Sequence, residues 1–167
     1  MKRIMLMAAL VVGAVPLAGA WAAQELVFSP EGTMQCMMEN PGMEVSCIGV
    51  SADECMADTE GGGSTVGMGG CLDAELSFWD ARLNAAYGAR MTAAKAADAE
   101  ARAGGWTAPS QEEALRTMQR AWIGFRDARC AYAASLWGGG TGAGPATIGC
   151  LMLTTGEQAL YLENYVR

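Results

Sequence analysis

The chain has 167 residues, 51% of them hydrophobic, with 18 acidic against 11 basic side chains, a net charge of −7 and no histidine. That length suits one domain with an appendage. Without histidine there is no Ser-His or Cys-His nucleophile and no imidazole metal ligand. The acidic balance argues against nucleic acid, whose phosphates need clustered Lys and Arg.

Residues 1–22 read as a signal peptide. Lys2 and Arg3 precede an apolar run from Ile4 to Ala18 that Gly13 and Pro16 interrupt, and Ala20-Trp21-Ala22 fits the small-x-small cleavage rule. Cleavage is expected between Ala22 and Ala23, giving a periplasmic or secreted protein. The run is too short and broken for a comfortable membrane span, and no cysteine near the cleavage point could carry lipid, so no stable membrane anchor is expected.

Residues 23–70 read as an irregular acidic arm, punctuated by Pro30, Gly32, Pro41, Gly42, Gly49 and Gly61-Gly62-Gly63. Every charged residue from Ala23 to Ala81 is acidic, Glu39, Glu44, Asp53 and Glu54 among them. Ser51 to Met56 is compatible with a short helix capped by Ser51. Cys36, Cys47, Cys55, Cys71, Cys130 and Cys150 all follow the cleavage point. An even count in an exported chain, with no C-x-x-C pair, implies three disulfides rather than redox or zinc chemistry. In the arm, short loops favour Cys36 with Cys47 and Cys55 with Cys71. Met34, Met37, Met38 and Met43 invite a copper(I) reading, since thioethers select that ion. With Cys36 assigned to a disulfide and no histidine, they read instead as gap-filling hydrophobes, and no cofactor or metal is expected.

Residues 71–167 read as a helical domain. From Cys71 to about Ala103, Leu72, Leu76, Trp79, Leu83, Tyr87 and Met91 recur every three or four positions, the stripe of a long helix. Gly104-Gly105 ends it, and Ser110 with Glu113 forms a capping box for the next. That second stripe runs through Leu115, Met118, Trp122, Phe125, Arg129 and Ala133 to Trp137. A Gly-rich connection, Gly138 to Gly144, leads to a third helix from about Ala146 to Tyr165. The expected architecture is all-α: an antiparallel three-helix bundle with an irregular, disulfide-stapled N-terminal arm. Folding about the two turns brings Cys130 level with Cys150, Arg129 within reach of Asp80, and Arg126 near Asn84. It also gathers Cys71, Trp137, the Gly-rich loop and the acidic arm at one end.

Two stretches, one from Glu75 to Tyr87 and one from Gln119 to Cys130, carry a resemblance. Glu75, Trp79, Asp80, Leu83, Asn84 and Tyr87 fit the pattern E-x-x-x-W/A-D-x-x-L-N-x-x-Y. Gln119, Arg120, Trp122, Phe125, Arg126, Asp127 and Cys130 fit Q-R-A-W-I-x-F-R-D-A-x-C. Together with the Gly-rich turn, Cys150 and Thr154-Thr155, they resemble the LprI-type lysozyme-inhibitor family over about residues 71–165. The resemblance implies a small secreted or envelope helical domain, with lysozyme inhibition known for some members and no inhibitory residues assigned across the family.

The aromatic motif residues Trp79, Tyr87, Trp122 and Phe125 read as core, and Asp80, Arg126, Asp127 and Arg129 as charge pairs between helices. The Gly-rich loop is either a plain connection or, with Trp137, Gly138, Gly139, Gly140 and Thr141, a segment that enters a concave partner. Glu75 and Asp80 could be written as a glycosidase pair, but they diverge on one helix and no sugar cleft is suggested, so no enzyme is expected. The function expected is a binding protein with a basic partner, a lysozyme inhibitor whose acidic arm (Glu39, Glu44, Asp53, Glu54) steers association. The alternative is a periplasmic interaction or scaffold domain with no lysozyme target. Oligomeric state is not legible.

Overall fold

The computed structural model describes residues 25–165; the signal segment lies outside them. The described residues form helices only. These are α1 (Glu31–Glu39), a 3-10 turn (Glu44–Cys47), α2 (Val50–Asp58), α3 (Thr65–Gly104), α4 (Gln111–Ser135) and α5 (Ala143–Leu160), closed by a π-helical turn (Tyr161–Tyr165).

The stretch expected to be irregular is thus largely helical. Neither α1 nor α2 has a strong apolar period, and each is only nine residues long, too short to persist alone. They exist because each lies against something else. Cys36–Cys47 ties α1 to the 3-10 turn, and Cys55–Cys71 ties α2 to α3. Ser51 is not the cap of α2; Gly49 occupies that position. The Ser51 hydroxyl instead accepts the Thr33 backbone N–H at 2.9 Å, while the Thr33 hydroxyl accepts the Ser51 N–H at 3.0 Å. This reciprocal pair joins the two short helices where both residues are buried.

α3 begins six residues before Cys71, through Gly67, Gly69 and Gly70, where helix propensity alone is poor. Ser64 caps it, its hydroxyl accepting the Gly67 N–H at 3.0 Å. Gly67 is a point of close approach: a side chain there would strike the Gly61 carbonyl and Gly62. The first turn of α3 is therefore set by the chain packed against it.

α5 is the central helix. It packs most extensively on α3 and next on α4, whereas α3 and α4 meet each other much less. Residues from Met152 to Leu160 are accordingly buried on several sides, and Ile48 of the arm closes over Gly156. Cys130 is bonded to Cys150, and Gln119 meets Gln158, so α4 and α5 meet in opposite chain order. Leu72 lies by Gly149 and Arg90 by Leu162, so α3 and α5 meet in the same order. The core centres on Trp79, Leu83, Met152, Ala159, Leu160 and Leu162.

One register expectation is corrected. Arg129 pairs with Glu157 of α5 at 3.1 Å, not with Asp80. Arg126 lines a cleft with Asp80, the residue to which Asn84 donates at 2.9 Å, and pairs with its own neighbour Asp127 at 2.9 Å. The reason is that α4 packs more on α5 than on α3, so Arg129 meets Glu157 rather than α3. For the same reason Phe125, expected in the core, is 58% exposed, and Trp122 is only half-buried.

Candidate functional site

Glu75 is fully buried on α3, at the junction of α1, α2 and α3. Its carboxylate accepts from the Thr33 hydroxyl at 3.0 Å, the Gly49 N–H at 2.7 Å, the Ala52 N–H at 2.7 Å and the Trp79 indole N–H at 3.0 Å. Two of these donors are orphan N–H groups at the start of α2, so an anion on one helix caps another. With four donors filled by the protein, Glu75 is sealed from any substrate. Its chemistry is cohesion: it fastens the arm to α3.

Asp98 repeats the device at the far end. It accepts from the Ser110 hydroxyl at 2.7 Å, the Gln111 N–H at 2.8 Å and the Glu112 N–H at 3.2 Å, while Ser110 accepts the Glu113 N–H at 3.1 Å. The Ser110 hydroxyl, then the Gln111 N–H, hold the Asp98 carboxyl below its ordinary value. A third cluster anchors the C-terminal turn. Arg82 bridges Glu163 at 2.6 Å, lies 5.0 Å over the Trp79 ring and donates to the Met37 sulfur at 3.4 Å. Arg90 donates to the carbonyls of Leu162 and Glu163 at 2.6 and 2.8 Å, satisfying groups that the end of a helix leaves open.

The motif residues are mostly parts of this internal frame. Trp79 and Leu83 are buried, Tyr87 and Trp122 pack half-buried on the core, Gln119 accepts from Gln158 at 3.0 Å, and Arg126 stacks 5.1 Å from the Trp122 ring. Asp80, Asn84, Arg120, Phe125 and Asp127 are exposed. Thr154 and Thr155 are buried, and neither hydroxyl has a hydrogen-bonding partner among the described residues. Sequence reasoning missed Thr33, Gly49, Arg82, Arg90 and Glu163, whose roles depend on hydrogen-bond partners 18 to 81 positions away. Only Arg82 had a local signal, lying inside the first motif stretch.

Two of the open clefts bear on residues singled out in the sequence. Between α3 and α4, where those helices diverge, a cleft of about 370 Å³ is walled by Asp73, Ser77, Asp80 and Arg126 and floored by Leu76 and Leu151. A second, of about 400 Å³, is lined by Met34, Met37, Met38, Glu44, Arg82 and Glu163. The Arg82 guanidinium there disfavours a copper(I) ion, and Cys36 is held in its disulfide.

The residues expected to meet a partner are not gathered in one place. Trp137, Gly138, Gly139, Gly140 and Thr141 lie at the N-terminal end of α3, exposed. Glu44 lies in the methionine-lined cleft by Arg82, which is 11 residues, roughly 16 Å, further along α3 from Cys71. There the Gly42 N–H holds the Glu44 carboxyl below its ordinary value. Glu39 accepts from Gln35, and Asp53 and Glu54 are exposed on α2.

Three disulfides, a helical core and carboxylates, Glu75 and Asp98, that bind helices rather than ligands define a small, all-helical, disulfide-bonded domain. The sequence model of the family described as "Lysozyme inhibitor LprI" matches residues 55–162, and the chain belongs to that family. It is similar to an uncharacterized 17.7 kDa protein in the puhA 5' region of Rhodobacter capsulatus, 27% identical over 134 residues that cover 78% of this chain and 82% of the relative. An uncharacterized protein of Rhizobium meliloti is 33% identical over 94 residues, covering 56% and 68%. No solved structure matches. No helix among the described residues is long and apolar enough to cross a membrane.

Proposed function

We propose that the protein is an exported binding protein that inhibits a lysozyme. Membership of the LprI family over residues 55–162 carries the reading. Residues 1–22 act as a cleaved signal peptide, residues 23–70 as an acidic arm and residues 71–167 as the binding domain, with α3, α4 and α5 as its antiparallel bundle. No catalytic role is assigned: Glu75 is occupied by four internal donors. Lysozymes are generally basic proteins with paired acids in a cleft. The acidic N-terminal third would raise their encounter rate, less so at high salt.

A second reading, an envelope interaction domain without a lysozyme target, draws support from one observation. Glu75, Trp79, Leu83 and Cys130, which define the motif, are spent inside the fold, so the motif accounts for the scaffold without specifying a partner.

The test is a cell-wall lysis assay in which oxidised protein from Ala23 is titrated against c-type and g-type lysozymes at physiological salt, beside a reduced and alkylated control. Saturable, near-stoichiometric inhibition lost on reduction is expected. Absence of inhibition of both enzymes would overturn the proposal in favour of the interaction domain.

A further inference from the structure

The end of the molecule formed by the start of α3, the end of α4 and the loop to α5 combines two features. First, it exposes large apolar side chains: Val66 at 76%, Tyr132 at 67%, Leu136 at 68% and Trp137 at 54%. The loop that follows Trp137 turns back over it, the Gly140 N–H bonding the Trp137 carbonyl at 2.8 Å and Gly142 lying against the indole, while Gly138 and Gly139, at φ of 55° and 85°, face open space. Second, the fold segregates charge. Among the described residues every Lys and Arg lies between Arg82 and Arg129, so the segments 25–81 and 130–164 contain none. α3 and α4 turn back at Gly105, which sends those cations toward the opposite end or the middle. The two nearest the apolar end, Arg126 and Arg129, are neutralised by Asp127 and Glu157. Among the described residues Asp58, Asp73 and Asp80 take part in no ion pair.

We infer that this end is the contact surface for a basic protein, with Leu136 and Trp137 as its apolar centre and Asp58, Asp73 and the mouth of the α3–α4 cleft as its anionic rim. A desolvated aromatic centre inside a charged rim is how protein interfaces divide affinity from steering. With Arg126 at the cleft already paired to Asp127, Asp58 and Asp73 leave the rim net anionic, which selects a cationic partner. The inference deepens the lysozyme reading by naming the surface used, and it rests on that reading only for the partner's name.

Full-length mature protein, L136D/W137A, D58N/D73N and the control W106A, which removes an exposed aromatic at the opposite end, would be compared by biosensor. The probes are a c-type lysozyme and a basic ribonuclease of similar size and charge. For lysozyme, L136D/W137A is expected to weaken affinity by at least about tenfold through faster dissociation. D58N/D73N should slow association and flatten its salt dependence, with W106A unchanged. Lysozyme binding that survives L136D/W137A intact overturns the inference and leaves the lysozyme reading standing. Binding of ribonuclease alone, lost in L136D/W137A, sustains the surface and overturns lysozyme as the target. Binding of neither probe overturns both. Equal binding of both that responds only to D58N/D73N marks unspecific charge attraction and overturns the apolar centre. Circular dichroism of each variant shows that it is folded.

Discussion

Glu75 has no use as a catalyst and a large one as a fastener, because two of its four donors are backbone N–H groups that would otherwise be buried unpaired. Glu75→Gln replaces one acceptor oxygen by a donor facing those same N–H groups. It should destabilise the protein by about 2–3 kcal/mol, read from the midpoint of urea unfolding at constant slope. An unchanged midpoint would mean that the arm is not held through this carboxylate. The two motif tryptophans should separate in the same assay. Trp79 is fully buried with its indole N–H bonded, so Trp79→Ala should cost about 4 kcal/mol. Full burial of Trp122 would imply a cost of about 3–5 kcal/mol for Trp122→Ala, but its half-burial lowers that to about 2. The Thr155 hydroxyl offers the opposite case. Valine there keeps the shape and removes a buried unpaired group, so Thr155→Val should raise stability by about 1 kcal/mol.

The elements of this protein start where a neighbouring element lets them start. α4 begins at Gln111 because Asp98, on α3, supplies the acceptors for its first N–H groups. A carboxyl held below its ordinary value adds stability in full above that value, 3.8 for Asp98, and loses it as pH falls through the lower folded value. Asp98→Asn should therefore flatten this acid limb while changing little in shape. Amide exchange of Gln111 and Glu112 is the local readout, and exchange as slow in the variant as in the native chain would dismiss the cap. The same dependence explains why the capping box at Ser110 was legible and the partner Asp98, twelve positions earlier, was not. It also explains the arm. α1 and α2 are only about two and a half turns each, too short to announce themselves as helices, and are held by disulfides and by Glu75.

At the scale of the whole molecule, α5 decides the arrangement. It is the helix on which both α3 and α4 pack most, turns Arg129 toward Glu157, leaves Phe125 in solvent and opens the cleft beside Asp73 and Asp80. Cys130–Cys150 links α4 to that central helix across a 20-residue separation. Replacing both cysteines by serine should cost roughly 3 kcal/mol, chiefly through a less constrained unfolded chain. Loss of far more would mean that α4 has no docking energy of its own.

The sequence by itself determined the helical class of residues 71–167, that six cysteines would form three disulfides, the caps at Ser110 and Gly104-Gly105, and the family, since each rests on composition or on residues close together in the chain. Only the tertiary structure decided that Glu75 and Asp98 cap helices other than their own, that the acidic arm folds, that α3 and α4 pack more on α5 than on each other, and that Phe125, Leu136 and Trp137 face water. A period of 3.6 identifies one buried face per helix, but not which helix covers it. A carboxylate in a sequence likewise carries no sign of the distant N–H groups that will surround it.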